Sequence, residues 1–332
     1  MTRPGARATV LAAAAVGLAL VPFAGGQFAV DFVTKVMVFA ILALSLELLV
    51  GQAGLVCFGQ AAFFGVGAYA CVLLTPRDGA ASVWWLAPAS VGAAALYAAV
   101  MGSLSIRTRG VYFIMVTLAF SQVAYYVAHD TPFGGGSDGI YLGAVPTAAI
   151  AGFPLVDLAK ARPYYYVVLA ALALAFAFLA VLLRSRFGRA LAGIRANEQR
   201  MRAAGFSTYP YKLAAFVISG ALAGLAGFLF AVKDGVVNPE LMGWHVSGTV
   251  LMMVILGGIG QLQGAVVGAF AFSLLEELFK SEALFGNFAT HWHLGVGIAI
   301  ILCVALLPRG LTGGRPVLWR RRRRDTRGGF DP

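Results

Sequence analysis

Charge is scarce in this 332-residue chain: Asp, Glu, Lys and Arg make up 12% of it, while 60% is hydrophobic and the mean hydropathy is +0.83. Soluble domains carry about twice that charge, so an ordinary water-soluble fold is excluded. Cysteine is scarcer still. Cys57, Cys71 and Cys303 lie in apolar stretches without C-x-x-C or histidine spacing, which excludes a disulfide framework and a zinc site. No G-x-x-x-x-G-K-[ST] phosphate loop occurs, and Gly134-Gly135-Gly136-Ser137 lacks the lysine that would neutralise phosphate, so the polypeptide itself is not expected to bind ATP. No Ser/His/Asp or Cys/His arrangement has motif context, and the rings of His291 and His293 diverge at helical spacing. Neither a metal site nor a catalytic residue is expected.

What remains is apolar length and glycine. Forty-one glycines and long apolar runs describe packed membrane helices rather than a β-barrel, whose short segments alternate. A span needs about 20 apolar residues. The runs predict an all-α polytopic bundle of about ten spans, near 8–26, 29–50, 54–74, 83–103, 110–128, 163–183, 213–232, 247–261, 263–280 and 293–308. The chain then divides into an N-terminal span or signal-like segment (1–28), a transmembrane domain (29–312) and a basic tail (313–332). The first segment has a signal-like basic start but no clean cleavage site, and is read as retained.

Lys and Arg are distributed unevenly about these spans. Nineteen of the 25 fall on one side: Arg3, Arg7, Arg107, Arg109, seven from Arg184 to Lys212 and eight from Arg309 to Arg327. The positive-inside rule makes that side cytoplasmic, with both termini on it. The net charge of +11 is therefore an orientation signal, and the Arg320–Arg324 run an anchor against anionic lipid rather than a nucleic-acid site.

Charged groups inside the spans are few. Asp31 and Lys35, four apart, are expected to pair, and Glu276 and Glu277 with Lys280 are read as the interfacial end of the ninth span. Glu47 has no local partner and is either a buried acid at a helix contact or part of a path. Such sparse carboxylates disfavour a proton relay and hence an ion-coupled secondary carrier, the alternative from another class.

Two segments, one in each half, are interrupted by glycines three apart: Gly51 and Gly54, followed by Gly59, and Gly257 and Gly260. Each glycine within a helix costs about 0.8–1 kcal/mol relative to alanine. Clusters of them mark close helix packing or a broken helix beside a permeation path, and the residues leave both readings open. On the second reading Glu47, Gln52, Gln60, Phe63 and Phe64, with Thr117 and Gln122 on the fifth span, line the path.

The loop at 184–212 is amphipathic. Leu191, Ile194 and Met201 fall on one stripe, Arg195, Glu198 and Arg202 are spaced to pair, and Gly205 ends the helix, so a helix of about five turns is expected. It suits a partner's groove or the lipid surface.

Several strings together resemble the permease subunit of branched-chain amino-acid ABC importers of the LivM type, over about residues 30–315. They include Gly51-Gln52-Ala53-Gly54-Leu55, Gly59 to Tyr69, Arg109-Gly110-Val111-Tyr112-Phe113, Gly188 to Glu198, Leu256 to Gly260 and Leu307-Pro308-Arg309-Gly310-Leu311. The resemblance implies an importer permease of the cell inner membrane that works without covalent chemistry. It implies a sister permease, two ATP-binding subunits that hold ATP and magnesium, and an extracytoplasmic solute-binding protein. It makes 184–212 the coupling loop, with Arg189, Arg195, Glu198 and Gly205 matching the family pattern and Arg202 beside them. Similar permeases have Ser-Leu-Gly-His where this chain has Cys57-Phe58-Gly59-Gln60, Asn at Glu47 and Pro at Ala265. The resemblance implies a branched-chain or related amino acid as substrate, and the first two departures, which lie in or beside the path, leave urea or a short amide as the alternative.

Overall fold

The computed structural model describes residues 17–23, 26–76, 81–150, 153–281, 291–307 and 310–313. The tail beyond 313 and most of the first expected span lie outside these residues. The helical stretch 17–23 docks on a later helix, accepting hydrogen bonds from Tyr165 Oη at Leu18 O (2.5 Å) and Tyr166 Oη at Ala19 O (3.2 Å).

Eleven further α-helices follow among the described residues. α1 (Gln27–Glu47) continues into a π-helical turn at Leu48–Ala53 and stops at Gly54 in the left-handed region (φ 73°). α2 is Gln60–Leu74, α3 Val83–Ser105, α4 Val111–Asp130 and α5 Ala161–Arg184. The basic loop holds α6 (Arg186–Ala196) and α7 (Glu198–Ala203), and the chain returns through α8 (Thr208–Asp234). α9 (Trp244–Gly257), α10 (Leu262–Lys280) and α11 (Trp292–Leu306) complete the bundle.

Six of these elements are long and apolar enough to cross a membrane: α1 with its π turn, α3, α4, α5, α8 and α10. α2, α9 and α11 are apolar but only 14 or 15 residues long. The expected ten full spans are therefore not found among the described residues. The span expected at 54–74 begins later, at Gln60, because apolar backbone at 54–59 is not regular α-helix, and the one expected at 247–261 lies a few residues earlier, at Trp244–Gly257.

Burial divides the helices. α1 and α8 are enclosed for about four-fifths of their apolar windows, whereas α3, α4, α5 and α10 are enclosed for a third or less. The exposed faces of the second group carry Leu96, Val100, Met115, Val127, Leu174, Val181 and Leu274. In water that surface would be costly; in hydrocarbon it is the ordinary exterior of a bundle.

Small residues bring the inner helices together. A Cβ on Gly67 of α2 would lie 2.5 Å from the Cα of Gly224 in α8, one on Gly227 would meet the backbone at Phe64, and Gly220 and Gly224 face Ala98 and Ala94 of α3. Without a hydrophobic drive between helices in lipid, this close backbone approach maximises dispersion contacts. Gly257 meets Gly264 and Gly268 in the same way where α9 packs on α10.

The end of the bundle opposite the basic loop is not helical throughout. β1 (Ile140–Tyr141) pairs antiparallel with β4 (Val236–Val237), and β2 (Ala148–Ile150) with β3 (Phe153–Val156). After β4 a 3-10 turn, Pro239–Met242, dips inward. Met242 is buried against Gly65, and its carbonyl accepts from Ser121 Oγ at 3.0 Å. Asp31 at this end lies 3.9 Å from Lys233 of α8 rather than pairing with Lys35, because tertiary packing brings the closer cation. Lys280 pairs with Glu276 at 2.6 Å.

Candidate functional site

The two glycine segments, some 200 residues apart in sequence, meet at the end of the bundle that carries the basic loop. The first is the π turn and its left-handed stop at Gly54. The second is the turn between α9 and α10, where Gly258 and Gly260 hold φ of 114° and 92° that side-chain-bearing residues rarely adopt. Glu47 Oε1 accepts the Gly260 N–H at 2.7 Å, and Gln52 Nε2 donates to the Gly260 carbonyl at 3.3 Å. Gly51 leaves room for the Glu47 carboxyl group, which a Cβ there would displace. Both segments thus interrupt their helices, and the tight glycine packing between α2 and α8 is present as well. Glu47, which lacks a partner in the sequence pattern, finds one in the other half of the chain; its second oxygen is buried without a hydrogen bond.

The chain following the C-terminal helix closes on the same turn. Leu311 N donates to Leu256 O at 2.9 Å, and Thr312 Oγ1 to Gly257 O at 2.7 Å.

The basic loop is two helices, not one of five turns. Asn197 adopts an extended conformation (φ −161°, ψ 100°) and caps α7 by accepting the Arg200 N–H at 2.9 Å. Asn is a strong N-cap because its short side chain competes for backbone donors, and that preference overrides continuation of the helix. Leu191 and Ile194 are buried as their spacing implies, while Met201 is half-buried on α7. Gly205 (φ 86°) ends α7 in a Schellman motif, in which Phe206 N donates to Met201 O and Gly205 N to Arg202 O, both at 3.0 Å.

Glu198 anchors this loop to the start of α8. Its carboxylate accepts from Arg202 Nη2 at 2.6 Å, Lys212 Nζ at 2.8 Å and Thr208 Oγ1 at 2.9 Å. Partial burial would raise the pKa of the group, but the hydrogen bonds from Lys212 and Thr208 and the Lys212 and Arg202 charges outweigh it, holding the pKa down to about 2. Arg195 is spaced to reach Glu198, yet its guanidinium turns the other way and donates to the Gly51 carbonyl, lying along Gly54. Arg184, Arg186, Arg189 and Arg200 remain exposed.

The other candidate path residues are placed inside the chain. Gln60 is fully buried, its Nε2 donating to Ser45 Oγ (2.5 Å) and Ser219 Oγ (3.1 Å). Phe63 packs edge-on to Phe216 with centroids 5.5 Å apart, and Phe64 does so to Phe230 at 5.4 Å. Thr117 is buried and its hydroxyl accepts the Phe58 N–H at 3.2 Å. Gln122 is half-buried on α4, its amide nitrogen enclosed without a partner. Gln60, Phe63, Phe64 and Thr117 therefore surround the start of α2, while Glu47 and Gln52 belong to the joined glycine turns.

Three serines that sequence reading does not single out complete the arrangement. Ser45 and Ser219 hold Gln60, Ser219 Oγ also donates to Ser45 O at 2.7 Å, and Ser247 Oγ on α9 accepts the Ala61 N–H at 2.9 Å. The exposed amides at the start of a helix that begins inside the bundle need partners there, and hydroxyls from neighbouring helices supply them. Their spacing carries no signal, because each lies on a different helix.

Comparison with known proteins places this arrangement. A family model described as "Branched-chain amino acid transport system / permease component" matches residues 28–305. The chain is 30% identical over 311 residues to the high-affinity branched-chain amino acid transport system permease protein LivM of Escherichia coli K12, covering 87% of this chain and 71% of the relative. Its counterpart in Salmonella typhimurium is 31% identical over 309 residues, with the same coverage. The permease protein LivH of E. coli K12 is 29% identical over 130 residues, 39% of this chain and 40% of the relative. No solved structure matches the chain. With six helices able to cross a membrane and a family match over most of its length, this chain is a multi-pass membrane permease component and belongs to the branched-chain amino acid transport permease family.

Proposed function

We propose that the chain is one of two permease subunits of an ATP-driven importer for branched-chain or related amino acids. The basic loop faces the cytoplasm and receives motion from separate ATP-binding subunits, which hold ATP and magnesium. A sister permease completes the translocation path, and a solute-binding protein delivers substrate to the opposite face. The observation that carries this reading is the loop itself: two short helices, locked by Glu198 and Gly205, that present Arg184, Arg186, Arg189 and Arg200 outward while Arg195 reaches into the glycine turns. A segment that is rigid, exposed and tied to broken spans is suited to transmit displacement rather than to bind solute.

The path is proposed to run past the start of α2, with Gln60, Phe63, Phe64, Thr117 and Gln122 forming its wall and Glu47 and Gln52 its inner end. Gln60, Phe63 and Phe64 have no exposed surface in the single chain, so on this reading solute meets them only when the bundle opens. No covalent step is involved.

The test is reconstitution with candidate ATP-binding subunits, sister permease and binding protein. Leucine-stimulated ATP hydrolysis and uptake are expected, both reduced at least tenfold by Arg189→Glu with Arg200→Glu. Uptake of urea or acetamide in preference to any amino acid would overturn the substrate assignment. Transport by the purified chain alone on an ion gradient would overturn the mechanism.

A further inference from the structure

Gly260 is gripped at both of its backbone groups by side chains from the other half of the protein. Its N–H goes to Glu47 Oε1 at 2.7 Å and its carbonyl receives Gln52 Nε2 at 3.3 Å. The positive φ of Gly260, 92°, takes this amide out of the helical ladder, so the grip replaces hydrogen bonds that the turn itself cannot make. A third side chain reaches the same place from the basic loop. Arg195 donates to Gly51 O, its Cγ lies 3.2 Å from where a Gly54 Cβ would stand, and its Nη1 lies 3.5 Å from the equivalent position on Gly260. A single arginine on α6 therefore touches both glycine turns.

The Glu47 carboxylate shows why that arginine matters. It is fully buried, one oxygen is committed to Gly260, and the other meets no donor. An enclosed carboxyl group with an unfilled oxygen is sensitive to what surrounds it, and Arg195 donates to Gly51 O, four residues on from Glu47. Gly51 is the glycine that leaves room for the carboxyl group.

We propose that Glu47, Gln52 and Arg195 form a clamp through which the basic loop positions both glycine turns, so that displacing α6 moves the ends of α1 and α9 together. Glu47 and Arg195 are positioning residues in this scheme; neither needs to touch solute. The transmission role rests on the loop being the contact for the ATP-binding subunits, whereas the clamp itself does not.

Two measurements separate these layers. In the first, the full chain in nanodiscs is followed by hydrogen exchange. Arg195→Ala is expected to speed exchange at residues 50–55 and at 258–261, and Glu47→Ala to do the same, each by about ten- to hundredfold, the range for losing a hydrogen bond to a charged group. Exchange in the α2 and α8 core should stay at wild-type rates. Faster exchange confined to residues 186–206 in Arg195→Ala would overturn the clamp. If Glu47→Ala does not fold, Glu47→Gln serves: it keeps an oxygen for Gly260 but not the charge, so both turns should loosen by less than in the arginine variant. Wild-type rates in both turns would refute the role of the charge. In the second, Arg195→Ala in the reconstituted importer is expected to lower solute moved per ATP at least fivefold with the ATP-binding subunits still attached. An unchanged ratio would overturn transmission. ATP hydrolysis indifferent to the wild-type chain would refute the loop assignment instead, leaving the exchange result to decide the clamp.

Discussion

Removing the charge of Glu198 tests how the basic loop is held. Glu198→Gln keeps the shape of the side chain but forfeits two ion pairs, with Arg202 at 2.6 Å and Lys212 at 2.8 Å. The depression of its pKa from an ordinary 4.5 to about 2 expresses those contacts as free energy. Arg202 is half-exposed and solvent screens that pair, so the full linkage value overstates the effect; about 1–2 kcal/mol is a discounted figure. A local loss of that size multiplies opening of the 198–208 segment by roughly 5–30. The assay is hydrogen exchange of this segment in wild type and Glu198→Gln, compared at matched pH. The sign follows from the direction of the shift. A carboxylate whose folded pKa lies below its unfolded one stabilises fully above about 4.5, and that contribution fades as the pH falls towards 2. The two proteins should therefore differ most near pH 6 and converge by about pH 2–3. Equal exchange at pH 6, or a difference that persists undiminished at pH 2, would refute the assignment of Glu198 as the ionic anchor of the loop.

Three other outcomes follow from the packing and the caps. Gly67→Ala and Gly227→Ala place a methyl against backbone that cannot withdraw and should destabilise the bundle by about 1–3 kcal/mol, whereas Gly248→Ala, with open space at that position, should be neutral or stabilising; thermal unfolding in one detergent ranks them. Asn197→Ala removes the cap of α7 and should cost about 1 kcal/mol, seen as faster exchange of the Arg200 amide with little change in α8. Gly205→Ala must hold a φ of 86° and should cost about 1–2 kcal/mol, while Gly205→Asn retains most of the wild-type stability, because Asn tolerates the left-handed region.

Hydropathy was a sound guide to the apolar elements and to most of their starts, and failed at the start of α2. Apolar character does not report backbone conformation, so 54–59, apolar but not α-helical, reads as the start of a span. The glycine pairs Gly51/Gly54 and Gly257/Gly260 were legible because a residue that costs helix stability needs a reason to be clustered. Their meeting across some 200 residues was not, since no local pattern encodes a partner. The loop shows both outcomes within 20 residues. Leu191, Ile194 and Gly205 behave as their spacing implies, yet Asn197 divides the expected helix, and Arg195 leaves Glu198 for Gly51, because a tertiary acceptor competes with a local ion pair that is worth only a few tenths of a kcal/mol. Ser45, Ser219 and Ser247 matter because α2 starts inside the bundle, a fact that lives in the fold alone.

The close approach of α2 to α8 has a consequence for biogenesis. The glycine face of α2 is complete once residue 74 is made, but its complement around Gly224 and Gly227 follows about 150 residues later. At ribosomal speeds of about 5–20 residues per second, that leaves α2 waiting for roughly 8–30 s in the bilayer, with Gln60 still lacking Ser219. Any product truncated before α8 keeps that polar group and that notch open to lipid or to a stray helix. The inner seam thus doubles as a completeness check, because only a chain translated through about residue 234 can close it.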